Sequence, residues 1–182
     1  MVRPAGGGGA AGEGLGRSRG GFSTKIHLSA EGKCRPLSLV VTGGQRGDNP
    51  EFAAVMDGIR VPRPVGRPRT RPDSVACDKA YSSKATRSEL RRRKIRHVIP
   101  EKSDQAVHRR KRGSRGGRPP GFDKARYAKR NTVERAIGKL KQFRAVATRY
   151  DKRRYMYQGT VTVATIKIWL RSMRSLDRPD TA

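Results

Sequence analysis

The sequence predicts an α/β protein. Three observations carry that expectation: two segments of alternating apolar and polar residues at 22–28 and 36–42, a strand–helix–strand succession between residues 74 and 99, and a helix-rich stretch from Asp123 onward. The chain has 182 residues, the size of one ordinary domain, and only 34% of them are hydrophobic, a low share for a compact fold. Order is therefore expected to be uneven along the chain.

Residues 1–21 are dominated by Gly, Ala and Arg, with a run from Gly6 to Gly9, and offer little to anchor a core; they read as a flexible lead-in to a domain spanning 22–173. The alternating segments 22–28 and 36–42 flank a turn around Glu31-Gly32 and predict two antiparallel strands. Residues 43–50 carry turn chemistry, and Pro50 suits the first position of a short helix through Met56. The Pro- and Arg-studded stretch 61–72 reads as a surface connection. Ser74-Val75-Ala76-Cys77 is a short buried strand, Ser82 or Ser83 can cap a helix reaching Arg93, and 95–99 is a second strand, plausibly parallel to the first.

Residues 101–121 combine Arg, Lys, Gly and Pro without apolar periodicity, which fits either a basic loop that orders on DNA or a merely solvated insertion. From Asp123 to Phe143 helix formers predominate, and Val133, Ala136, Ile137 and Leu140 recur on one side of a long amphipathic helix. The stretch 160–163 favours a strand locally, but Val163, Ile166, Trp169, Leu170 and Met173 recur at helical intervals, so a closing helix with Trp169 plugging the core is expected. Residues 174–182 read as a disordered tail.

Charge narrows the function. With 43 Lys and Arg against 15 Asp and Glu, the net charge is +28 and the pI near 11.5; a compact state this cationic repels itself unless a polyanion shares its surface. Nucleic acid is the natural partner, which suits a non-catalytic architectural or RNA-associated protein as well as an enzyme. No apolar stretch approaches the roughly 20 residues that span a bilayer, and the start of the chain lacks a signal-peptide core, so a cytoplasmic, nucleoid-associated location is expected. Cys34 and Cys77 are too few for a disulfide framework, and together with His27, His97 and His108 they lack zinc-site spacing; both read as reduced and buried.

Two features point to chemistry. Asp78 follows the apolar strand 74–77, which places its carboxylate at a C-terminal sheet edge, where open α/β sheets build their sites; an Asp there is also a common turn or cap residue. Tyr127, Arg130, Glu134 and Lys141 are spaced by three, four and seven residues, and at about 100° per residue they share a wedge of roughly 60° on a helix. Such a stripe can equally be a solvated face held by intrahelical pairs such as Arg130 with Glu134.

The pattern Tyr-x2-Arg-x3-Glu-x6-Lys, here Tyr127, Arg130, Glu134 and Lys141, resembles the signature of insertion-sequence DDE transposases. Gly16-Arg17-Ser18-Arg19-Gly20-Gly21-Phe22-Ser23-Thr24-Lys25-Ile26-His27-Leu28, Asp78-Lys79-Ala80-Tyr81-Ser82-Ser83 and Asn131-Thr132-Val133-Glu134-Arg135 look like its insertion-sequence-five branch. The resemblance implies a ribonuclease-H-like mixed sheet flanked by helices, lacking its first strand. It also implies three carboxylates holding two divalent ions, Mg²⁺ or Mn²⁺, with Asp78 as the second Asp and Glu134 as the Glu. Arg130 and Lys141 would clamp DNA phosphates, and Tyr127 would stack or hydrogen-bond near the cleaved end. The implied activity is hydrolysis at the element's ends followed by strand transfer to target DNA, without an organic cofactor. The implied partners are the terminal inverted repeats, target DNA and a second copy of the chain on paired ends.

The family places its first Asp on a strand ahead of Thr24-Lys25-Ile26-His27-Leu28, whereas the first Asp of this chain is Asp48, beyond both early strands. Asp48, in Gly47-Asp48-Asn49-Pro50, reads as a turn or helix-capping residue. The chain is thus expected to be either the downstream frame of a frameshifted transposase, completed by an upstream-frame product, or a decayed remnant. On its own it should cleave DNA poorly. The rival expectation is a non-catalytic basic nucleic-acid-binding protein.

Overall fold

In a computed structural model the chain is described at residues 12–18 and 21–174; the expectations for residues 1–11, with their glycine run, and for 175–182 lie outside the described residues. The architecture is mixed α/β. Strands β1 (Gly16–Ser18), β2 (Gly21–Ala30) and β3 (Pro36–Gly43) form an antiparallel sheet in that order, with Thr24 opposite Gly43 and Leu28 opposite Leu39. The β2–β3 hairpin expected from the alternation is present, and Cys34 in its turn is buried with φ 62°, a left-handed conformation unusual for a residue bearing a side chain.

Strand β1 lies inside the segment that composition marks as a flexible lead-in. It is held by polar anchors rather than apolar ones. Arg149 donates to the carbonyls of Glu13 and Gly14 at 2.8 and 3.0 Å, and the Glu13 carboxylate accepts from Arg153 and from the Arg154 backbone N–H, both at 2.7 Å. A hydropathy reading does not see such anchors.

After β3 a 3-10 turn at Asn49–Glu51, with Pro50 in its first turn, leads into α1 (Phe52–Asp57). An isolated bridge between Val61 and Arg69 pins the following connection. Then come β4 (Ser74–Ala76), α2 (Lys84–Arg92) and β5 (Arg96–Val98). Ser83 caps α2 by accepting from the Thr86 N–H at 3.0 Å, and β4 and β5 pair in parallel, as the strand–helix–strand pattern predicts. The named strands therefore pair as two sheets, one antiparallel and one parallel, where a single mixed sheet was expected.

Residues 101–121 are not a plain loop: α3 (Ser103–Lys111) forms within them. Its stability does not come from an apolar face, which explains why periodicity misses it. Asp104 lies in its first turn and four basic residues in its last, the arrangement that complements the helix dipole. Gln105 is tied to Ser82 by two hydrogen bonds of 2.7 Å, and Arg109 pairs with Glu101 at 3.0 Å.

The long helix expected over 123–143 is broken into α4 (Lys124–Ala128) and α5 (Asn131–Lys141). At the junction the backbone bonds reach back three residues, from Arg130 to Tyr127 and from Val133 to Arg130, so the chain tightens without leaving the right-handed region. Helix α6 (Arg144–Ala147) and the 21-residue α7 (Arg154–Arg174) follow.

The closing helix is present, but its buried face is Tyr157, Val161, Ala164 and Ile168. The stripe chosen from sequence faces solvent, with Val163, Ile166, Leu170 and Met173 all between 52 and 65% exposed. This helix carries two apolar stripes, and only tertiary packing decides which one is covered. Trp169 is half-buried at the rim rather than in the core; its indole N–H donates to the Pro36 carbonyl at 2.8 Å and Arg35 lies over its ring at 4.1 Å.

Two apolar clusters result. Val41 of β3, Leu140 of α5 and Val146 of α6 pack with the inner face of α7, while Phe52, Met56, Cys77, Leu90 and Ile99 join α1 to the β4–α2–β5 unit. The second cluster holds the strand from which Asp78 emerges; α5 of the first carries Glu134.

Candidate active site

Asp78 lies directly after β4, as the strand pattern predicts. It is exposed, and its carboxylate accepts from the Lys79 N–H at 2.6 Å, capping a 3-10 turn at Lys79–Tyr81. The preceding Cys77 is buried against the core, and burial pushes its thiol up to about 12. Cys77 is thus a packing residue that fixes the strand end on which Asp78 is presented.

Glu134 stands one turn into α5, with its side chain 57% exposed. Arg130 reaches it at 2.7 Å, the intrahelical pair expected from the spacing. The Arg130 guanidinium also lies 5.5 Å from the centre of the Tyr127 ring, and that ring packs at 5.2 Å against Phe122. The broken helix therefore still brings Tyr127, Arg130 and Glu134 into one chain of contacts. Lys141 sits at the far end of α5, exposed, and is not drawn into that chain.

Asp78 acts on Arg130 through its charge. Burial, the largest influence on its guanidinium, acts to lower the pKa, yet the net shift is upward, because the Glu134 hydrogen bond and charge prevail with help from Tyr127 and Asp78. Asp78 thus lies within electrostatic reach of the Arg130–Glu134 pair.

Asp48 also approaches this region, though not as a side-chain cap, since it makes no such bond to the turn it begins. Its carboxylate is 3.4 Å from Lys25 Nζ and 3.1 Å from Nδ1 of the buried His27, close but poorly aligned for a hydrogen bond. The opposite ring nitrogen of His27 is 2.8 Å from the Thr42 hydroxyl. Tyr81 feels the charge of both aspartates: burial foremost, then the charges of Asp48, Cys77 and Asp78, raise its phenol pKa. Sequence reasoning assigned no role to Tyr81 or Phe122. The first could have been suspected from its place in Asp78-Lys79-Ala80-Tyr81, the second as a lone aromatic in a basic segment.

Among the described residues no group of three or more His, Cys, Asp or Glu side chains is arranged to hold a metal ion. Asp78 is engaged in a backbone cap and Glu134 in an ion pair, and these two carboxylates do not by themselves make a two-ion centre.

The structure is thus a strongly basic α/β domain with carboxylates at a strand end and on a helix, interleaved with arginines. Residues 2–166 match the model of the transposase DDE domain, and the chain belongs to that family. It is also 28% identical over 154 residues to a protein of Brucella ovis (strain ATCC 25840 / 63/290 / NCTC 10512), described as a putative transposase for insertion sequence element IS6501. That alignment takes in 82% of this chain and 100% of the relative. No solved structure matches the chain. The resemblance to insertion-sequence DDE transposases drawn from Tyr127, Arg130, Glu134 and Lys141 is thereby met. No helix among the described residues is long and apolar enough to cross a membrane.

Proposed function

We propose that this chain is the part of an insertion-sequence transposase catalytic domain that carries the second and third triad carboxylates, of the insertion-sequence-five branch and of ribonuclease-H-like ancestry. Its substrate is DNA, at the element's terminal inverted repeats and at the target. The family chemistry is hydrolysis that frees the element's 3′ ends, which then attack target DNA. The observation that carries this reading is the Arg130 cluster: one guanidinium contacts Glu134 and Tyr127 and feels the charge of Asp78, inside a chain of the DDE family.

In this reading Asp78 and Glu134 are two of the three carboxylates that bind divalent ions in the complete enzyme. Arg130 and Lys141 face phosphates, and Tyr127 lies near the cleaved end. The first Asp of the triad has no counterpart at the family's position. Asp48 is the nearest acid in role, but Lys25 and His27 already occupy it. Misplacing one ion by about 1 Å can cost on the order of a hundredfold in rate, so the chain alone cleaves poorly and needs a complementing chain, an upstream-frame product, assembled with it on paired ends.

The test is to incubate the chain with Mg²⁺ or Mn²⁺ and its terminal repeats, alone and with the protein encoded by the upstream frame. The expected result is strand cleavage only in the mixture, abolished by Glu134→Gln. Cleavage that is indifferent to Glu134→Gln would overturn the assignment of the site. Robust Glu134-dependent cleavage by the chain alone would overturn the need for a complement.

A second reading is supported by the missing first Asp of the triad together with the net charge of +28: a remnant that coats nucleic acid without chemistry. Metal-dependent cleavage in no mixture, with binding intact, would select it.

A further inference from the structure

A well-defined concavity lies away from Asp78 and Glu134. It is an open groove of about 1320 Å³ between α2, β5, the side of α3 and the segment running from Gly116 to Arg126. Its walls carry eight Lys and Arg side chains and His97 against two acids, Glu101 and Asp123. Both acids are already satisfied: Glu101 pairs with Arg109 at 3.0 Å, and Asp123 with Arg126 at 3.1 Å while accepting from the Arg126 N–H. The groove is therefore left with a row of cations that no acid balances.

The backbone of the walls is arranged to keep those cations in place. Arg87 is fixed by donating to the carbonyl of Ile99 at 2.9 Å and to the Ser82 hydroxyl at 3.1 Å. Lys94 ends α2 at φ 54°, a position where glycine is the easy choice, and here a charged residue is kept. Gly116 lies so close to the Arg109 carbonyl that a Cβ would collide with it, which brings the basic segment down onto α3. Phe122 lines the groove and packs against Tyr127, whose ring lies beside Arg130, so a run of contacts leads from the groove to the Arg130–Glu134 pair.

We infer that this groove seats the phosphate backbone of duplex DNA flanking the position where the strand is cut. The inference rests on the transposase reading, because that reading makes DNA the partner; the groove adds where and how the DNA is held. Duplex rather than single strand follows from the wall chemistry. A single-strand track uses repeated aromatic platforms for unstacked bases, and this groove offers just Phe122 and the half-buried His97 ring among many cations. Phosphate neutralisation is then the main source of affinity, and binding is indifferent to sequence and steeply salt-dependent.

Lys84, Arg91 and Arg118 line the groove, are exposed and have no carboxylate partner among the described residues. The test compares the intact chain with the triple variant Lys84→Gln/Arg91→Gln/Arg118→Gln and with a charge-matched control, Arg60→Gln/Arg63→Gln/Arg67→Gln, on the connection after α1 and outside the groove lining. Fluorescence anisotropy with a random-sequence duplex and a single strand of equal length is read across a salt series without divalent ions, after circular dichroism shows equal folding. The groove variant is expected to bind the duplex about tenfold or more weakly and to reduce the slope of log K against log salt by about 3, roughly one per cation, while the control changes it by less than about 1. Equal losses in both variants would overturn the groove, as would tighter binding of the single strand by the intact chain. If the intact chain binds no DNA even at low salt, the transposase reading falls with it; if it binds and the groove variant is unaffected, the groove alone falls.

Discussion

Arg149 joins three parts of the chain that are far apart in sequence, so its removal gives a sharp test of how the fold is held. Its guanidinium donates to the carbonyls of Glu13, Gly14, Asp151 and Lys152 and to the Thr24 hydroxyl, at 2.6 to 3.2 Å, and lies 5.0 Å from the centre of the Tyr157 ring. Arg149→Met keeps an apolar stem near the ring and deletes all five donations. Hydrogen bonds to a charged group contribute about 1.5–3 kcal/mol each when buried, but they are not additive here, and water can reach the half-buried carbonyls once the side chain is gone. A net loss of about 3 kcal/mol follows, a large share of the roughly 5–15 kcal/mol typical of a domain and equivalent to about 6–12 °C in Tm. Trp169, the sole tryptophan, sits where α7 meets β3, so its fluorescence in a urea titration reports this core directly. A loss below about 1 kcal/mol would refute the claim that Arg149 anchors the residues around Glu13 and Gly14 to the rest.

His27 titrates below its ordinary range because burial outweighs the opposing pull of Asp48 and Glu51. The unfolded chain therefore takes up a proton before the folded one does. This contribution to stability is complete above the unfolded value near 6.5 and is lost as pH falls from there through the folded value, which unfolding midpoints between pH 7.5 and 5 will show and His27→Gln will flatten. Lys94→Gly relieves a left-handed backbone and should stabilise the protein by about 0.5–1 kcal/mol in guanidinium unfolding, while removing one cation from the groove. Cys34 and Cys77 are both buried, and the Cys77 thiol is pushed up to about 12, so a thiol reagent should leave the native protein unlabelled and react only as it unfolds; prompt labelling at neutral pH would contradict the packing around β4.

What the sequence made legible was whatever depended on local period or on a few functional spacings. The β2–β3 hairpin followed from alternation, α2 and its Ser83 cap from turn chemistry, and the parallel β4–β5 pair from the strand–helix–strand order. Asp78 at a strand end and Glu134 paired with Arg130 were readable for the same reason. Elements held by polar contacts were not. Strand β1 depends on Arg149 and Arg153, more than a hundred residues away, and α3 on Gln105 and Glu101 rather than on an apolar face. The break between α4 and α5 is a matter of bonds reaching three residues instead of four, which side-chain periodicity does not register. On α7 the pattern was right and the face was wrong, because Val163, Ile166, Leu170 and Met173 compete with Val161, Ala164 and Ile168 as equally regular stripes.

That outward stripe on α7 has a colloidal consequence. At a net charge of +28, free copies of the chain are kept apart by mutual repulsion, which masks four adjacent apolar side chains that would otherwise cohere. Salt or a bound polyanion removes that repulsion. The stripe is therefore expected to cohere between copies as ionic strength rises, which sedimentation across a salt series would show.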